Sequence, residues 1–244
     1  MHVRNSLTKA VVVWLGALGL AVAIAVPSHA SPITFEFTGI LPTVAQGGDP
    51  AFSSVFNGGE TVTATYTFDS GLVNIVPGTN EGFYQPLSAF KIQIGERSWE
   101  LGAGSGSSIY IRNRFESFGG SGLDWYWVGG ASPIVGPAIA GMDVNLMAVI
   151  MTTNAFDFMP SDALPLTPPD VTPFLSPVGP SAYAVYKIQL GFSDYSAGGP
   201  YPENHYLDTT IASAQIKAVP EPSTMLLLGS GLLGLIGFRK KFKK

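Results

Sequence analysis

The sequence predicts an all-β fold, an antiparallel sandwich of the jelly-roll-like kind, with a signal helix ahead of it and a transmembrane helix behind it. Three observations carry that prediction. Apolar and polar residues alternate with period two in stretch after stretch: in "TVTATYTF", Val62, Ala64, Tyr66 and Phe68 oppose four threonines. That is the pattern of a strand with one buried face. Gly- and Pro-rich breakers separate these stretches, and nothing between residues 31 and 219 keeps a helical period over a dozen residues.

The elements follow in chain order. "MHVRNSLTKAVVVWLGALGLAVAIAVPSHA" has a basic start at Arg4 and Lys9, an apolar run from Ala10 to Val26 and the small residues Ser28 and Ala30. These are the three regions of a secretory signal peptide, with cleavage expected between Ala30 and Ser31 by signal peptidase. "ITFEFT" then alternates, Ile33, Phe35 and Phe37 against Thr34, Glu36 and Thr38. Val62–Phe68 and Phe90, Ile92 and Ile94 of "AFKIQIG" repeat the pattern. Further strands are expected at Arg97–Leu101, Ser108–Arg112, Leu123–Val128, Asp143–Met151, Tyr183–Phe192 and Thr209–Lys217, about nine in all. "IAGMDVNLMAVIM" is apolar enough to suit a buried strand or a short helix, and its pattern does not choose between them. Pro160–Pro180 holds seven prolines in 21 residues. Proline has no ladder donor, so this stretch reads as a long extended loop. The domain organisation is therefore 1–30 signal peptide, 31–219 extracellular domain and 220–244 tail.

Composition excludes several function classes. The span 31–219 carries six basic residues against sixteen acidic ones, a formal charge of −10. A surface of that sign disfavours nucleic acid and anionic lipid as partners, since both need a basic face. There is no cysteine, which removes disulfides, thiolate metal sites and thiol nucleophiles together. Once residues 1–30 are gone, His205 is the only histidine, so a zinc site of the usual type has too few ligands. In "PYPENHYLD" His205 reads as an exposed loop residue, and no nucleophile elbow accompanies it. Glu96 and Glu100 stand four apart, as do other acids, and would serve a glycoside hydrolase only if two of them flanked a cleft. A structural calcium needs only oxygens, which Asp194, Glu203, Asn204 and Asp208 around one loop, or Asp69 in "DSG", would offer. Asp and Asn also favour turns for local reasons. No cofactor, catalytic residue or metal ligand is assigned.

"LDWYWVGG" is the most distinctive internal stretch. Leu123, Trp125 and Trp127 share one face and Tyr126 takes the other. Two outward indoles would form a flat platform for a sugar ring. The same alternation describes a buried face, since aromatics bury large areas, and burial is the reading preferred for Trp125 and Trp127.

The chain closes on "AVPEPSTMLLLGSGLLGLIGFRKKFKK". Thr224–Phe238 is free of charge and would make a helix of about 22 Å, a marginal span for a hydrocarbon layer of about 30 Å. Five basic residues among the last six would hold that end in the cytoplasm. Pro220-Glu221-Pro222 followed by Ser-Thr, an apolar run with glycines and Arg239-Lys240-Lys241 resembles the PEP-CTERM sorting signal of Gram-negative bacteria. The resemblance implies recognition by an exosortase, transient anchoring in the inner membrane, removal of the tail and delivery to the outside, often alongside exopolysaccharide. "ITFEFTG", "GETVTATYTFDS", "LSAFKIQIG", "SDALPL" and "DTTIASAQIKAVPEP" resemble small β-rich exported proteins that carry such tails. The function expected is thus a secreted or cell-surface structural or adhesive component of the exopolysaccharide or biofilm matrix. A carbohydrate-binding module and a glycan-acting hydrolase are the alternatives.

Overall fold

The computed structural model describes residues 31–42, 52, 54–77, 80–115, 122–176, 183–194 and 203–217. The signal segment and the tail lie outside them, so both flanking helices do too. Among the described residues no helix is long and apolar enough to cross a membrane.

Among the described residues eleven strands follow one another: β1 (Pro32–Ile40), β2 (Thr61–Asp69), β3 (Glu81–Tyr84), β4 (Ala89–Ile94), β5 (Arg97–Leu101), β6 (Ser107–Phe115), β7 (Leu123–Ala131), β8 (Ile134–Val135), β9 (Asp143–Thr153), β10 (Ala184–Asp194) and β11 (Glu203–Lys217). All pairings are antiparallel, in one open sheet of order β3-β6-β7-β9-β10-β11-β1-β2-β4-β5-β8. The fold is all-β, as expected. The segment from Asp143 is a strand, and its register against both β7 and β10 settles what its composition left open.

The expected arrangement of two separate sheets is corrected: the strands form one. The reason lies in β11. Its first half, Glu203–Thr210, pairs with Asp194–Lys187 of β10, and its second half, Thr210–Lys217, with Ile40–Thr34 of β1. A strand begun at Thr209 would lack the residues that join the two five-stranded halves. A bulge on β11 opposite Thr38 and Gly39 marks where it passes from one partner to the other, and bulges let a strand turn such a corner. The backbones approach closely here: a Cβ on Gly39 would stand 2.3 Å from the Thr210 carbonyl oxygen.

The predicted alternation decides what is buried. On β2, Val62, Ala64, Tyr66 and Phe68 are at most 1% exposed, while Thr63, Thr65 and Thr67 are only half-buried. Phe35 meets Tyr66 and Phe68 edge-on at 5.6 and 5.3 Å, and Phe90 meets Tyr66 at 6.1 Å. Each such ring contributes roughly 1.5–3 kcal/mol by leaving water. The two halves face each other across this core: the hydroxyl of Tyr66 on β2 hydrogen-bonds that of Tyr126 on β7, both side chains being fully buried.

The loops complete the core. Ile94 to Arg97 turns in two residues, Gly95 adopting φ +56°, as tight hairpins require. Residues 154–176 form no strand; their one regular element is a 3-10 turn at Thr172–Leu175. Phe174 from that turn is buried against Phe156, Phe158 and Tyr186, with ring centroids 4.9–5.3 Å away. The free edge of β3 is covered by its own approach loop. Asn74 donates to the Glu81 carbonyl and accepts from the Phe83 N–H, both at 3.0 Å, and the Ile75 N–H donates to the Phe83 carbonyl.

Candidate functional site

Asp124, Tyr126 and Val128 of β7 point into the core, so Trp125 and Trp127 take the opposite face. This corrects the preferred reading, in which the indoles were core. Both are half-buried on the outer surface. Cross-strand register builds two rows around them: Phe83, Tyr110, Trp127 and Ile150 in one, Glu81, Arg112, Trp125 and Thr152 in the next.

The rows interlock. The Arg112 Nε lies 3.1 Å from Glu81 Oε1 and also donates to the Tyr110 hydroxyl. Its guanidinium stands 4.9 Å from the Tyr110 ring centroid and 5.7 Å from that of Trp125, within the range of cation–π attraction. Tyr110 meets Phe83 at 6.0 Å and Trp125 at 6.5 Å, both edge-on. Desolvation raises the Tyr110 phenol above its ordinary pKa, Arg112 opposing and Glu81 adding to the effect. The Trp127 ring lies over Gly129, where a Cβ would come within 2.2 Å of it. The Trp125 Nε1 is buried and has no hydrogen-bond partner among the described residues. Chemically, this face offers rings and one neutralised ion pair, a set suited to stacking.

A second concavity, a groove of about 600 Å³, opens between β2, β4 and the loops before β4 and β6, lined by Thr65, Thr67, Ser88, Lys91, Glu100 and Ser105 among others. Lys91 Nζ and Glu100 Oε1 pair across it at 2.9 Å. The two glutamates weighed as a hydrolytic pair are separated by structure: Glu96 sits in the β4–β5 turn while Glu100 is engaged with Lys91. Glu36 faces Thr65 and Gln215 across the ladder rather than another acid. Its carboxylate accepts from Gln215 at 2.7 Å and Lys217 at 3.1 Å, which together hold its pKa below the usual carboxylate value against the desolvation that raises it.

His205 is corrected as well. It lies in β11, half-buried, its ring edge-on to Phe52 at 6.5 Å. Among the calcium candidates, Asp208 is bonded to Lys187 Nζ at 2.7 Å and Gln189 Nε2 at 2.8 Å, and Asp69 closes its own turn by accepting from the Gly71 N–H. Asn204 Oδ1 lies 3.4 Å from both Asn145 Nδ2 and Ser193 Oγ; the side chains of Asp194 and Glu203 are outside the described residues. Among the described residues no three His, Cys, Asp or Glu converge on one point.

Sequence reasoning missed Asp124. It is buried, and its Oδ2 accepts the N–H groups of Phe158 at 2.8 Å and Met159 at 3.1 Å, pinning the Pro-rich segment to β7. An acidic residue in phase with Tyr126 and Val128 was the signal available.

The last strand stops at Lys217, and the segment quoted above as Pro-Glu-Pro, apolar run and basic cluster follows directly. Residues 218–241 match the PEP-CTERM protein-sorting motif. The motif implies an exported protein, sorted by exosortase to the cell surface or envelope. No curated protein and no solved structure matches the chain.

Proposed function

We propose that the folded body is a non-enzymatic adhesive component of the extracellular matrix that contacts exopolysaccharide through the outer face of β3, β6 and β7. The observation that carries this reading is the outward placement of Trp125 and Trp127, flanked by Tyr110 and Phe83. Ring faces at a strand surface suit the apolar faces of sugar rings. The absence of an enzymatic role is argued from Glu36, Glu100 and Asp208, each paired with lysine. On this reading signal peptidase and exosortase are processing partners, and the body reaches the surface without its tail.

The test is sedimentation of the exported body with the polysaccharide of its own host, together with a glycan array. Trp125→Ala and Trp127→Ala should each lose retention while keeping the β-type circular dichroism. Retention unchanged in both variants would overturn the assignment of the face, and absence of any retention would overturn the adhesive role.

A further inference from the structure

The position of the sorting motif gives one end of the sheet a second meaning. Register shows which loops share that end. Thr34 of β1 lies opposite Lys217 of β11, and Pro32 opposite Asp69 of β2. In β10, numbers fall toward Ala184 as those in β11 rise toward Lys217, and Ala184 lies opposite Thr153 of β9. The loop after β2, the Pro-rich segment between β9 and β10 and the exit of the chain toward residue 218 therefore sit at one end. The first two also meet physically around β3. Asn74 and Ile75 bond its edge, and the Tyr84 hydroxyl donates to the Asp162 carbonyl at 2.8 Å.

Exposed apolar residues are concentrated there. Of the ten large apolar side chains exposed among the described residues, seven belong to this end. They are Val73, Ile75 and Val76 after β2, Leu166, Leu175 and Tyr183 between β9 and β10, and Ile216 on β11, from 38% to 75% exposed. Ile40 and Tyr206 lie toward the opposite end. Single exposed apolar residues are ordinary, but a set gathered at one end marks a contact surface.

The chain itself names what covers it. Six residues lie between Lys217 and Thr224, where the uncharged run begins, so the two are at most about 25 Å apart when the link is fully extended. With that run inserted, Lys217 at this end is held within about 25 Å of the hydrocarbon, and headgroups occupy roughly 5–8 Å of that distance. We propose that, while the sorting tail is inserted, the body rests on the bilayer by this end, with Val73, Ile75, Leu166, Leu175, Tyr183 and Ile216 against lipid. The contact is apolar rather than electrostatic, because the body is acidic. It rests on residues 218–241 being membrane-inserted, and it fixes how the Pro-Glu-Pro site meets a membrane enzyme: beneath a body already seated on the lipid.

The absence of cysteine makes the experiment direct. The precursor with its tail retained, from a host lacking exosortase, is reconstituted in phosphatidylethanolamine–phosphatidylglycerol vesicles containing brominated acyl chains. Single variants Val73→Cys, Leu166→Cys and Leu175→Cys carry an environment-sensitive fluorophore, with Tyr206→Cys as the far-end reference and Leu233→Cys in the tail. The first three should lose most of their fluorescence to the brominated lipid, as Leu233→Cys does, while Tyr206→Cys keeps it. Quenching of the tail label alone overturns the seating and leaves the sorting signal standing. An unquenched tail label overturns both. Labels at 73, 166 and 175 that are shielded from water yet unquenched by lipid mean that protein covers this end, which also overturns the proposal.

Discussion

Replacing one of the two buried phenols that meet across the core should cost more than replacing both. Tyr66 and Tyr126 are each 0% exposed, and their hydroxyls bond to one another. Tyr126→Phe removes one hydroxyl and leaves the other buried without a partner, a penalty of about 1–3 kcal/mol. Tyr66→Phe does the same from the other side. The double variant removes both hydroxyls, keeps both rings and should fall within about 1 kcal/mol of the parent. The coupling in the cycle, the two single costs together less the cost of the double, is thus on the order of 1–6 kcal/mol. For a domain of this size each kcal/mol moves Tm by about 2–4 °C, so each single variant should melt about 2–12 °C lower and the double variant close to the parent. Urea and thermal unfolding followed by circular dichroism read this directly. Single costs that simply add in the double variant would refute the reasoning, because the hydroxyls would then have separate partners and β2 would not face β7 at this point.

Three further expectations concern the same core and its margins. Burial, reinforced by the neighbouring phenol, raises the Tyr66 pKa well above the ordinary value, and burial raises that of Tyr126 against its hydrogen bond. Their contribution is complete below about pH 10 and lost above it, because the unfolded chain releases protons that the folded one keeps; the slope reaches about 2.7 kcal/mol per pH unit for two groups, and the double Phe variant should flatten it in alkaline unfolding. Phe174→Ala should cost about 3–5 kcal/mol and open residues 154–176 to protease, since the ring fills the space between Phe156, Phe158 and Tyr186; protease resistance equal to the parent's would contradict that packing. Glu36 holds a lowered pKa through Gln215 and then Lys217, so its stabilisation is present above the usual carboxylate pKa and fades as acid carries the pH through the lowered one. Glu36→Gln should therefore unfold more easily near neutrality and show a flatter acid limb in a pH series of urea midpoints.

Strands with a strict two-residue period were legible because burial enforces that period. β2, β4 and β5 begin and end within a residue of where the pattern places them. β3 was hidden by its four residues "EGFY", which carry a glycine and stand directly after a turn signal. β8 has only two residues and owes its pairing with β5 to tertiary position. The first half of β11 was hidden by "PEN", whose composition suits a turn, although its backbone is satisfied by β10. For the candidate site, alternation correctly grouped Trp125 with Trp127 but was silent on which group faces inward. Size favoured the indoles; the fold instead buries Tyr126 against Tyr66 and gives Asp124 two backbone donors, so that an acid sits inside.

β11 also sets the order of events in time. An exported chain emerges from its N-terminus, so β1 must wait for a partner about 175 residues away. Until β11 arrives, no backbone ladder among the described residues joins the strands on either side of it. Translation makes that strand last, immediately before the sorting motif. A product truncated anywhere upstream loses its closing strand and its address together, so every molecule that carries the signal also carries the piece that finishes the sheet.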